Sequence, residues 1–336
     1  MTVARNGDFT VLDYTELTEL FPRIPKFLDS LGIFGEAFYG SSTIAQVERV
    51  EDQVDDIQAT SRGGDRQFVG KESAIMRNFT QPYFTLDGKF TAQDIQDLKE
   101  YGSPDMPMTM QSRINRTRTR IAKGHAVLRE RARYAALKGN SYAPNFPQAQ
   151  YNYATEFGVT AKVKPQVAIN FADAAVDPRT TIEQEARQHI QKYAGNQGDA
   201  YQVIAICGSK FFDGLKDHPL TREAYSGYAS ASEPLRQRLG GDMINRSWET
   251  EGVTYLEDFM GVQLGEIATD EVWFLPLGIQ DMFQTHFAPA DHKDYANTTA
   301  QDMYMFMLEG SRYDKVETET SFLQVNTRPE LVVNGK

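Results

Sequence analysis

The residues best suited to chemistry near neutral pH are few: five histidines and one cysteine in 336 residues. The histidines are His125, His189, His218, His286 and His292, and none belongs to an H-E-x-x-H pair. A single thiol, Cys207, cannot build a thiolate zinc site. His286 and His292 lie on either side of APAD, with Asp291 and Asp294 close by, so metal ligands gather there; ordinary loop histidines are the simpler reading. Cys207-Gly208-Ser209 follows an apolar run without a base at recognisable spacing, so it reads as a buried strand end rather than a nucleophile. Glu257-Asp258 and Asp270-Glu271 read as solvated loop acids rather than a catalytic pair. No phosphate-cradling G-x-x-x-x-G-K-S/T, no G-x-G-x-x-G and no G-x-S-x-G elbow occurs. The expectation is a protein that is not an enzyme and holds no cofactor or metal.

The unusual chemistry is charge. Residues 107 to 138 carry Arg113, Arg116, Arg118, Arg120, Lys123, Arg129, Arg131, Arg133 and Lys138 against one acid, Glu130. The whole chain has 35 bases and 46 acids; without this segment it has 26 and 45. The segment reads as one long helix, with Pro107 suited to its first turn and Gly139 to its stop. At 1.5 Å per residue the rod is roughly 45–50 Å long. Met110, Ile114, Ile121, Leu128 and Ala135 form one stripe, with Thr117, Gly124, His125 and Ala132 in the gaps. The stripe spans an arc of about 100°, the width of one buried face. Gly124 on that face costs about 1 kcal/mol against alanine, which close approach by a neighbouring backbone would explain. Arg116–Arg120 and Arg129–Arg133 repel slightly at i,i+4, and only Glu130, facing Arg133, relieves charge within the helix. The rod therefore needs acids from outside itself.

A complement exists in ERVEDQVDD, where Glu48, Glu51, Asp52, Asp55 and Asp56 face one base, Arg49. The segments flanking the turn Ser61-Arg62-Gly63-Gly64-Asp65 read as a long charged hairpin. A lone hairpin is marginal in water and must lie on a surface. One subunit's hairpin acids on the next subunit's Arg113, Arg116, Arg120, Arg129 and Arg133 would satisfy both elements. Such a head-to-tail contact repeats into rings or closed assemblies. The alternative is a soluble nucleic-acid-binding protein using 107–138 as a platform. The acidic balance opposes it, and Tyr134 is the one aromatic there.

The other elements are read from pattern. Residues 1 to about 45 form an arm with little core, in which Pro22 and Pro25 enforce an extended path. TAQDIQDLKEY (91–101) reads as a short helix capped by Thr91. SYAPNFPQAQYNYATEFGVTAKVKPQVAINF reads as β structure with proline turns, 178–194 as a helix, and 201–212 as a buried strand ending in a Gly-Ser turn. Leu215 to Leu239 is mostly helical, GVTYLEDFMGVQ and EVWFLPLG are strands, and KVETETSF alternates as a half-exposed strand. No apolar run approaches the ~20 residues needed to span a bilayer, so no membrane partner is expected. The four N-x-S/T sequons, beginning at Asn78, Asn115, Asn245 and Asn297, read as chance without a secretory leader.

An ordered set of motifs now carries a resemblance. PRIPKFLDSLGIF followed by SSTI, ATSRGGD, FTAQDIQDLKEYG, RARYAALKG followed by YATEFGV, AICGSKFFDGLKDHP, GVTYLEDFMG, FLPLGIQDMFQTHFAPADHKDYANT and NTRPELVV occur in that order. Together they resemble the major capsid proteins of tailed bacteriophages, the lambda-like (major capsid protein E) family. Phe322-Leu323 stands where the family usually has Pro-Leu, and Thr298-Thr299 where it usually has Thr-Leu-Gly.

The resemblance implies an α+β chain with the tailed-phage major capsid (Hong Kong ninety-seven-like) fold. It implies an N-terminal arm (1–45), an extended loop (46–85), a peripheral domain (86–180) with spine helix 107–138, an axial domain (181–295), and return strands of the peripheral domain (296–336). It implies a virion structural protein, assembled in the host cytoplasm, whose hexamers and pentamers close into an icosahedral shell around double-stranded DNA without sequence-specific binding. Its implied partners are itself, a portal, a scaffold and a decoration protein.

Overall fold

The computed structural model describes residues 12–13, 27–51, 73–91, 93, 110–194, 201–227 and 246–336. The structure is α+β, built on two sheets, a projecting hairpin and one long helix. The short elements β1 (Leu12–Asp13), α1 (Phe27–Ser30) and β2 (Ala37–Tyr39) come first. The hairpin strands β3 (Ile44–Glu51) and β4 (Ser73–Thr80) pair antiparallel, Ile44 opposite Thr80 and Glu51 opposite Ser73. β5 (Tyr83–Thr85) and β6 (Gly88–Thr91) lead to the basic helix α2 (Met110–Leu137). The expected Pro107 start, the hairpin tip at 61–65 and nearly all of the 91–101 helix lie outside the described residues.

α2 ends by a Schellman motif. Gly139 has φ +77°, its N–H donates to Ala136 O, and Asn140 N–H donates to Ala135 O. This is the left-handed position that glycine fills without a Cβ penalty. Beyond it the expected β structure is replaced by short helical turns, of which α3 (Tyr153–Glu156) is the clearest. Pro147 starts a 3-10 turn, and the Asn152 side chain accepts the Thr155 N–H as an N-cap. Prolines and small capping residues won over aromatic β propensity there.

The expected helix at 178–194 is α4 (Pro178–Ile182) and α5 (Gln188–Ala194), joined by a π-helical turn at Glu183–Arg187. β7 (Gln202–Cys207) stops at the cysteine. Gly208 and Ser209 then open a helix rather than a turn, α6 (Ser209–Asp217), followed by α7 (Pro219–Gly227). After β8 (Ser247–Thr250) and β9 (Val253–Glu257), FMGVQ is not strand but α8 (Phe259–Gln263), because the Asp258 carboxylate caps it. β10 (Val272–Leu277), β11 (Phe283–Ala288), β12 (Tyr304–Leu308), β13 (Tyr313–Asn326) and β14 (Val333–Gly335) complete the chain.

The seven-stranded sheet is organised by β13, which pairs antiparallel with β5, β6, β11 and β12, while β1 joins β12 and β2 runs parallel to β11. Its second half is buried rather than half-exposed. Phe322 packs with Ala132 of α2, and the alternate residues Leu323 and Val325 pack with Val47, Phe79, Tyr153 and Phe157. Alternation puts these sets on opposite faces, so both are covered. The five-stranded sheet runs β14-β10-β7-β9-β8, with only β7 and β9 parallel. One face meets Ile182, Ile190, Phe211 and Leu215; the other meets Phe27, Leu28, Tyr134 and Leu137. Thus α2 lies along the first sheet and ends under the second. Sheet membership does not follow the expected divisions at 295 and 296: β11 belongs to the seven-stranded sheet, and β14 returns to the other.

Candidate functional site: a basic helix and an acidic hairpin

Of the expected stripe on α2, Ile114, Ile121, His125 and Ala132 are buried, Thr117, Leu128 and Ala135 are half-buried, and the Met110 side chain lies outside the described residues. One base sits on the stripe: Arg118 is 7 % exposed, between Ile114 and Ile121. Its i+4 and i−3 relation to those residues is the signal that could have found it. Gly124 is exposed, and the neighbour that crowds it is the Leu86 side chain, 2.9 Å from where a Cβ would stand, not a backbone.

The carboxylates that meet the second half of the rod come from its own chain. Arg129 reaches Asp302 at 3.0 Å, and Tyr39 donates its hydroxyl to the same carboxylate at 2.7 Å. Arg133 reaches Asp29 at 2.5 Å and Glu130 at 3.3 Å. Arg131 and Lys138 share Glu266 at 4.0 and 3.4 Å. Each partly exposed pair stabilises by at most about 1 kcal/mol. Their joint effect is to offset the like-charge repulsion along the rod. In the first half Arg113 and Arg116 are half-buried, while Arg120 and Lys123 face solvent.

Two buried acids tie this end of α2 to its surroundings. Glu130, 1 % exposed, accepts the Leu28 N–H at 2.7 Å, so it fixes α1 as well as Arg133. Asp258 is fully buried, not solvated; it accepts the Tyr134 hydroxyl and the Gly261 N–H. Burial pushes Asp258 up to about 6, with Glu130 adding to the effect. Burial and the same carboxylate push the Tyr134 phenol far above its ordinary range. The other suspected loop acids also have partners: Glu257 binds Arg246 at 2.6 Å, Asp270 binds Lys336 at 3.1 Å, and Glu271 accepts from Asn334 at 2.5 Å.

On the hairpin, period-2 alternation buries Ala45, Val47 and Arg49 and turns Ile44, Gln46, Glu48 and Val50 outward. Arg49 therefore points to the face opposite Glu48. Its guanidinium is 4 % exposed and grips Glu330, itself 2 % exposed, at 2.7 and 3.2 Å, and donates to Thr327 O at 3.0 Å. The base of the hairpin thus lies on its own subunit. Glu48 is exposed. The side chain of Glu51, and all of Asp52, Asp55 and Asp56, lie outside the described residues.

The histidines serve the core. His189 donates to Glu330 O at 3.1 Å, and His218 to Asp173 O at 3.2 Å. His286 stacks on Phe38 and bonds the Gln284 side chain at 2.9 Å; burial holds it down to about 4. His292 stacks on Phe306 and has Asp294 at 3.6 Å. Among the described residues no three His, Cys, Asp or Glu side chains are grouped to hold a metal. Cys207 is fully buried, bonded to Leu256 O at 3.3 Å, and burial pushes its thiol up. No helix among the described residues is long and apolar enough to cross a membrane.

Comparison with known proteins places this arrangement. The chain is 33 % identical to the major capsid protein of Pseudomonas phage KPP10 over 96 % of both chains. Its fold resembles the asymmetric unit of the mature capsid of bacteriophage PhiM1, with TM-score 0.53, 15 % identity and coverage of 100 % of this chain and 91 % of that one. It also resembles the capsid structure of cyanophage P-SCSP1u, with TM-score 0.51, 7 % identity and coverage of 90 and 86 %. The family model for phage major capsid protein E matches residues 11–336, and the chain belongs to that family of virion structural proteins.

Proposed function

We propose that the subunit assembles as hexamers and pentamers into an icosahedral shell enclosing double-stranded DNA, by docking the acidic hairpin of one copy on the basic helix of the next. The observation that carries this is the uneven compensation of charge. Arg49, the one base within 48–56, turns inward to Glu330, whereas Glu48 beside it turns outward. On α2 the second half meets its own chain's acids, whereas Arg120 and Lys123 face solvent. Of the docking set Arg113, Arg116, Arg120, Arg129 and Arg133, Arg120 is the member that faces solvent, while Arg129 and Arg133 are held by intramolecular partners. Many modest contacts of this kind close a shell cooperatively, with no single one strong.

In this assignment 1–45 is the arm and 46–85 the extended loop. The seven-stranded sheet with α2 forms the peripheral domain, over 86–180 and 296–336 with β11 added. The five-stranded sheet forms the axial domain, over 181–295 with β14 added. Portal, scaffold and decoration proteins are further partners, and no catalytic turnover is assigned. The nucleic-acid-binding alternative gains nothing from the geometry, since four of the nine bases in 107–138 are spent on internal carboxylates.

The test is charge reversal followed by electron microscopy. Glu51→Lys, Asp52→Lys, Asp55→Lys and Asp56→Lys together should block assembly and leave a folded subunit. Adding Arg116→Glu and Arg120→Glu should restore shells in part. Normal shells from the four-fold variant would refute the docking.

A further inference from the structure

The two sheets are joined by two short strand-to-strand connections: residues 278–282, from β10 to β11, and residues 327–332, from β13 to β14. These run side by side. Thr327 donates its N–H to Met282 O at 2.9 Å and its hydroxyl to Asp281 O at 2.9 Å. Asp281 sits at φ +55°, a turn conformation that non-glycine residues adopt rarely.

The hairpin is bound to this joint. Arg49 donates to Thr327 O and grips Glu330 with two nitrogens, and Arg328 donates back to Val50 O at 3.4 Å. The far side of the joint is held by the other half of the molecule. The Glu330 carbonyl accepts from His189 on α5, two residues beyond the π-helical turn, and Leu331 is fully buried in the cluster under the five-stranded sheet. π-helical turns recur where a helix must adapt locally. A buried, two-pronged arginine–carboxylate pair transmits orientation because both partners are planar and neither can turn without breaking a charged contact.

We propose that Arg49 makes the hairpin a lever on the joint between the sheets, so that the hairpin angle and the angle between the sheets change together. This goes beyond shell assembly and does not depend on where the hairpin's acids dock. Force on the hairpin is passed through Arg49 to Thr327 and Glu330, and from there to both connections and to α5.

The test is distance measurement by pulsed electron spin resonance on the full-length, unassembled subunit. Spin labels go on exposed positions: Met76→Cys on the hairpin, Tyr313→Cys at the start of β13, and Arg222→Cys on α7. The native Cys207 is buried and takes no label. The perturbation is Arg49→Met with Glu330→Gln, which removes the pair without orphaning a charge. Both the 76–222 and the 313–222 distance distributions should broaden or shift. If the 313–222 distribution stays as in the parent, whether or not 76–222 broadens, Arg49 is only a local anchor and the lever is refuted. Should the double variant not fold, Arg49→Lys keeps the charge, loses the fork, and decides by the same readout.

Discussion

Replacing His125 with leucine should weaken the subunit at neutral pH and strengthen it in acid. The Thr318 hydroxyl donates its one hydrogen to Leu86 O, so toward His125, 3.1 Å away, it can only accept. His125 therefore carries its proton on Nε2. Its Nδ1 is buried without a hydrogen-bond partner, and a second proton there would sit in the core near Arg129. Burial first, and the Arg129 charge second, hold the imidazole down to about 4. The unfolded chain takes up this proton near pH 6.5, the folded one only near 4, so stability is full above 6.5 and is lost as pH falls between them. At 1.36 kcal/mol per pH unit, this one side chain costs about 2–3 kcal/mol by roughly pH 4.5. His125→Leu loses one hydrogen bond, about 1 kcal/mol, and none of the titration. Urea unfolding of the unassembled subunit should show the variant about 1 kcal/mol less stable than the parent near pH 7.5. Near pH 4.5 it should be about 1–2 kcal/mol more stable. Other titrating groups, His286 included, cancel in the difference. Equal differences at the two pH values would refute the buried neutral imidazole.

Asp258 works in the opposite sense. Its folded value lies near 6, above the ordinary 3.8, so its penalty is nearly absent around pH 4 and complete above 6. Asp258→Asn should gain about 2–3 kcal/mol on the parent between roughly pH 4 and pH 7.5, and a constant difference across that range in urea unfolding would contradict it. Glycines separate by environment: a Cβ on Gly208 would lie 2.3 Å from Ala268 O, whereas one on Gly265, at φ +74°, meets nothing within 4 Å. Gly208→Ala should cost about 3 kcal/mol or more, because backbone must move, and Gly265→Ala about 1–2 kcal/mol from its left-handed φ. Comparable thermal shifts for the two would show that the Ala268–Thr269 backbone yields easily.

The parts of the fold legible in the sequence are those fixed by local periodicity. The Ile114–Ile121–His125 stripe, the Gly139 stop and the buried Cys207 follow from spacing and residue type alone. The hairpin was legible as a pair of segments needing a surface, because two strands cannot stabilise themselves. What local pattern could not carry was partnership over long separations. Arg49 looks like one base among acids until Glu330 is brought to it from 281 positions away. Asp258 looks like a loop acid until Tyr134 closes over it from 124 positions away. The misread stretch from 140 to 171 shows a different limit. Tyrosine, phenylalanine and proline serve equally well in edge strands and in short capped turns, and Asn152 decides between them only once its side chain is seen to cap Thr155.

The inward turn of Arg49 also constrains how this chain can change length. Along β3 neighbouring side chains point to opposite faces, so losing one residue before position 49 would carry Arg49 outward and swing an adjacent side chain into its place. After a loss that neighbour is Val50, and after an insertion it is Glu48; either would leave Glu330 buried without its cation. Insertions and deletions in the root of the hairpin must therefore come in twos, or be confined to the residues beyond the Glu51–Ser73 pair. The reach of this hairpin can therefore change without disturbing Arg49, whereas the parity of its root cannot.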